Sequence, residues 1–171
     1  MRLDDPEAVR GSDVLLLRQR TDGGRSAGYG SGEAGRELRN VLFLVGAQAA
    51  PHWLFKSPQN LLRRVEQVSG DPDDPEEGDT AALYVEYADA DTDGDQRLTL
   101  ADRFTVALAR PDGTALQVLL TDVERVYQHT LTDAEQLTVL YQKAGALRQA
   151  RFNLRTGAVL GDQSLVKLSG N

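Results

Sequence analysis

Ala82-Leu83-Tyr84-Val85-Glu86-Tyr87 and Phe104-Thr105-Val106-Ala107-Leu108-Ala109 flank the run Asp91-Thr92-Asp93-Gly94-Asp95-Gln96-Arg97-Leu98-Thr99-Leu100-Ala101-Asp102. Both flanks are rich in aromatic and β-branched residues and lack a 3.6-residue period, so both are read as strands. At most one helical turn fits between them, around Leu100 to Arg103. An acidic loop set between strands has no helix pair to open, which argues against a calmodulin-like sensor and for a structural clamp.

The run has the spacing of a twelve-residue calcium loop. Three carboxylates at alternate positions repel one another unless they turn onto a hard cation, which takes six to eight oxygen ligands. Asp89 also reads as a start, but it would place Leu100 where the last carboxylate belongs and Gln96 where an apolar anchor belongs. Starting at Asp91 puts the side chains of Asp91, Asp93 and Asp95 at positions 1, 3 and 5. Arg97 then offers its carbonyl at position 7, Leu98 anchors position 8, Thr99 holds a water at position 9 and Asp102 closes position 12. Calcium is the expected ion and magnesium the competitor.

Two departures weaken affinity. Gln96 stands where glycine is usual, so a residue with a β-carbon must take the left-handed conformation at about 1 kcal/mol. Asp102 replaces the bidentate glutamate and reaches less far.

The whole chain of 171 residues is read as one all-β domain. N-terminal strands are expected over 13–70, with a glycine-rich mobile loop at 23–35. An acidic, proline-broken solvated loop follows at 71–79, and C-terminal strands over 80–168 carry the calcium loop at 91–102. Val14 to Arg20, Val41 to Val45 and Trp53 to Phe55 read as strands, while Leu61 to Val68 fits a strand or a helical turn. Phe104 to Arg110, the turn Pro111-Asp112-Gly113 and Leu116 to Leu120 make a hairpin. Val123 to His129, Leu137 to Gln142, Leu147 to Leu154 and Ala158 to Leu160 continue the rhythm. The architecture expected is an antiparallel meander, either propeller-like or a two-sheet sandwich.

Composition narrows the function. With 26 acidic against 19 basic residues the net charge is −7, and the basic residues are scattered, which argues against nucleic acid or an anionic membrane as partner. Absence of cysteine excludes disulfides, thiolate metal sites and a cysteine nucleophile. No apolar run approaches the roughly 18 residues of a membrane span. Met1-Arg2-Leu3-Asp4-Asp5-Pro6 is no signal peptide, so an exported form would carry its targeting segment outside this sequence.

Leu83 to Tyr87, the acidic loop, Thr105 to Leu108, Pro111-Asp112-Gly113, Leu119-Leu120 and Val139-Leu140-Tyr141-Gln142 together resemble uncharacterised bacterial envelope proteins. Those proteins have strand repeats like those of the periplasmic Tol-system propeller. Asn40 to Leu44 with Trp53-Leu54 is similar to their upstream part. The resemblance covers roughly residues 40 to 160 and implies a propeller-like fold and a calcium loop but no activity. A closed propeller needs at least four blades, more than the ten or eleven strands read here supply.

Catalytic motifs fail on context. Gly24-Arg25-Ser26-Ala27-Gly28 matches a nucleophile elbow, and Gly30-Ser31-Gly32-Glu33-Ala34-Gly35 a dinucleotide fingerprint, but neither opens a helix. His52 and His129 lack a partner at metal-ligand spacing and read as surface or strand-end residues, and Trp53 reads as a core or hairpin anchor. The expected function is a calcium-binding structural or protein-interaction domain of the bacterial cell envelope or periplasm. Its partner would be another envelope protein, and no catalytic residue is assigned. The alternative is a hydrolase of an envelope polymer with a structural or catalytic calcium.

Overall fold

The computed structural model describes residues 1–22, 36–46 and 51–168. The glycine-rich stretch and both motifs within it lie outside the described residues. In chain order the strands are β1 (Arg2–Leu3), β2 (Glu7–Ala8), β3 (Val14–Arg20), β4 (Leu38–Val45), β5 (His52–Trp53), β6 (Leu61–Ser69) and β7 (Thr80–Ala88). There follow β8 (Phe104–Ala109), β9 (Gln117–Val123), β10 (Arg125–Asp133), β11 (Gln136–Lys143), β12 (Ala146–Asn153) and β13 (Val159–Lys167). No helix occurs among the described residues, and Leu61–Ser69 is a strand.

The strands form two antiparallel sheets. Nine belong to the first, in the order β1-β3-β4-β6-β7-β8-β9 with β2 and β5 added on β3 and β4, and four to the second, in the order β10-β11-β12-β13. The architecture is therefore an all-β meander in two sheets. The chain passes from one sheet to the other across Glu124, where Asp122 takes a positive φ of 55°. This corner divides what the sequence reads as a single strand beginning at Val123.

β7 and β8 explain why the central segment is apolar almost without interruption: they are buried on both faces. Ala82, Tyr84 and Ala88 of β7, with Phe104, Val106 and Leu108 of β8, meet Leu137, Val139, Tyr141, Ala150 and Phe152 of the second sheet. Leu83, Val85, Tyr87, Ala107 and Ala109 point the other way and pack with Leu16, Val41, Phe43 and Val65 of their own sheet. That sheet bends over itself, and the bend lies where β4 and β6 share only the pair Leu38↔Leu62.

The turn after β8 locks this arrangement. Gly113 has a φ of 78°, and a β-carbon there would stand 2.3 Å from the Phe43 ring, so glycine is required on both counts. In the second sheet, Ala144 and Gly145, both at positive φ, make the two-residue turn that pairs Lys143 with Ala146.

Candidate metal site

The acidic loop joins β7 to β8. Asp91, Asp93 and Asp95 each offer a carboxylate oxygen, and these oxygens lie within 4.8 Å of one another on the exposed side of the loop. Their aim is set by the loop backbone. Asp91 accepts the N–H groups of Gly94 and Gln96, both at 2.7 Å. Asp93 accepts from Asp95 N–H at 3.1 Å, and Asp95 from Arg97 N–H at 2.8 Å.

Two positions of the loop bear on the reading frame that starts at Asp91. Gln96 takes the left-handed conformation with φ 64°, the strain expected of a non-glycine residue at the sixth position. Leu98, at the eighth, packs on the core between the two sheets. The loop is thus anchored inward by an apolar side chain and presents its carboxylates outward.

Asp102 is buried and lies outside the group of three. Its Oδ1 accepts the backbone N–H of Thr92 at 2.6 Å and the Thr92 hydroxyl at 3.1 Å, and its Oδ2 accepts Thr99 N–H at 2.8 Å. The backbone N–H of Thr92, then that of Thr99, hold this carboxyl below the ordinary aspartate range. Asp102 closes the loop on itself. Thr99, through its hydroxyl, accepts Ala101 N–H at 3.1 Å. Chemically, three exposed carboxylates with no nitrogen or sulfur donor suit a hard cation.

Two polar groupings escaped the sequence reading. Glu86 is buried between the sheets, where it accepts the Tyr84 hydroxyl at 2.9 Å and has the Arg64 guanidinium at 3.8 Å. Burial, reinforced by the Glu86 charge, raises the Tyr84 phenol above its ordinary range. His129 is no surface residue: its ring stacks on Tyr84 at 4.0 Å and its Nε2 meets Glu66 at 2.9 Å. His52 stacks on Phe43, whereas Trp53 is 41% exposed and anchors no core. The second grouping is a set of arginines, scattered in sequence, that gather around the bend between β4 and β6.

No family model matches the chain, and no curated protein matches it. Among solved structures it is similar to a luciferin-regenerating enzyme, with 10% identity and a TM-score of 0.45 over 96% of this chain. The similarity spans 60% of that enzyme's length.

Proposed function

We propose that the chain is a calcium-stabilised β scaffold that presents a sheet edge to a protein partner in a cell envelope. The carrying observation is the convergence of Asp91, Asp93 and Asp95 on the loop that joins β7 and β8, two strands that place buried residues in both cores. An ion there ties loop order to the packing of β7 and β8. In this reading the Arg97 carbonyl and a water on Thr99 complete the oxygen shell, and Asp102 acts chiefly by holding the loop closed.

Strain at Gln96 and the missing glutamate lower affinity, so the site fills where calcium is millimolar, outside the cytoplasm. The role assigned to the ion is structural, since none of the three aspartates lines the cleft at the β4–β6 bend. Strand addition at β13 is the assigned mode of partner binding. Among the described residues its outer edge is unpaired in the second sheet, and Val159, Leu160, Leu165 and Val166 are exposed along the strand.

The test is a pair of melting curves on cation-free and calcium-loaded protein, for the native chain and for Asp93→Ala. Calcium should raise the melting temperature of the native chain only. An equal rise in the variant would contradict the reading.

A further inference from the structure

The bend between β4 and β6 opens a cleft of about 650 Å³. Its floor is apolar, made by the buried side chains of Leu38, Leu61, Leu62 and Val65, and five arginines rim it: Arg18, Arg20, Arg36, Arg63 and Arg64. Two irregularities of pairing aim them. Leu62 pairs with Tyr87 and Arg64 with Glu86, so Arg63 is the extra residue of a bulge on β6. The bulge breaks alternation, leaving Leu61 and Leu62 both buried and Arg63 and Arg64 both exposed. A second bulge, in which Arg39 of β4 is the extra residue opposite Gln19 and Arg20, lies in the pairing of β3 with β4.

Three of the five are held by carboxylates: Arg18 by Glu7, Arg20 by Asp4 at 2.7 Å, and Arg64 by Glu66 at 3.0 Å. Arg18 also bridges the bend by donating to the Val65 carbonyl at 3.1 Å. Fixed in this way, these guanidiniums keep further donors of their five N–H groups for a ligand. Arg63 makes no ion pair among the described residues, and Arg36 makes none either, although its charge acts on Asp22. Arg63 lies 4.2 Å over the Phe104 ring and donates only to the Leu100 carbonyl at 3.4 Å. The two wall carboxylates are already engaged, Glu37 by Arg39 and Glu66 by Arg64 and His129.

Two arginines with no ion pair among the described residues face one cleft, a place where an anion would compensate them in a chain of net charge −7. The overall negative charge repels a long polyanion, which selects a compact ligand over a nucleic-acid backbone. We propose that this cleft binds a small phosphorylated or polycarboxylated molecule, gripped by Arg36 and Arg63 and framed by Arg18, Arg20 and Arg64.

Calorimetric titration of the full chain, freed of divalent cations by dialysis and at low salt, with inorganic phosphate, pyrophosphate and citrate tests this directly. Saturable binding of at least one probe is expected, weakened about tenfold by Arg36→Gln, since a charge-assisted hydrogen bond is lost. Arg36 is exposed and makes no ion pair among the described residues, so its variant is expected to keep a near-native melting temperature even if Arg63→Gln does not fold. No saturable binding of any probe, or native affinity in Arg36→Gln, would overturn the proposal.

Discussion

Asp102 clamps Thr92: one carboxylate oxygen takes both the backbone N–H, at 2.6 Å, and the hydroxyl, at 3.1 Å, of a residue ten positions earlier. The last position of the loop is thereby fastened to its second, and Thr92 in turn accepts Arg103 N–H at 2.8 Å at the entrance to β8. The loop is held shut by the protein's own groups before any ion is considered.

A pH dependence follows. Because the folded state holds the Asp102 carboxyl below its unfolded value, its stabilisation is complete above the ordinary aspartate range, near pH 4, and is lost as pH falls through the depressed native value. Asp102→Asn should therefore melt well below the native chain at pH 7, with the gap narrowing at pH 3. A gap of constant size would show that the charge of this group contributes nothing.

Gln96 carries the opposite kind of information, a strained backbone at φ 64°. Gln96→Gly relieves the strain but adds freedom to the unfolded chain, for a net gain of a few tenths to about 1 kcal/mol. Tighter calcium binding should accompany it, read by titration of both proteins side by side. Weaker binding in the glycine variant would refute the assigned loop register.

Tyr84→Phe tests the buried polar group between the sheets. The phenyl ring keeps the stack on His129, but Glu86 loses the hydroxyl it accepts from at 2.9 Å. Leaving that buried carboxylate short of a donor should cost about 1–3 kcal/mol in urea unfolding. A change within about 0.5 kcal/mol, as for a neutral surface substitution, would mean that Arg64 or water replaces the lost bond.

What the sequence makes legible is what depends on local pattern. The strands β7 and β8 are written in two runs rich in aromatic and β-branched residues, and the acidic cluster in the alternate spacing of Asp91, Asp93 and Asp95. Tertiary pairing is not written there. Arg63 and Arg64 are adjacent in the chain, but that Arg18 and Arg20 share their cleft follows from the bend at Leu38↔Leu62. Glu86 sits mid-strand in a run that predicts burial, yet its Tyr84 and Arg64 partners become neighbours only through strand geometry. β13 extends to Lys167, beyond the expected end at Leu160. Gly161-Asp162-Gln163-Ser164 has no apolar alternation, and the strand is held by backbone pairing with β12 while its side chains remain largely exposed.

The most direct measurement is a calorimetric calcium titration of cation-free protein, with a melting curve at each end point. One site is predicted, with a dissociation constant of about 10⁻⁴–10⁻³ M, the range of weak extracellular calcium modules. At 100 times that constant the ion adds about 2.7 kcal/mol, a rise of roughly 5–10 °C for a chain of this size. No heat and no shift with calcium would contradict the account and leave Asp91, Asp93 and Asp95 as an acidic turn.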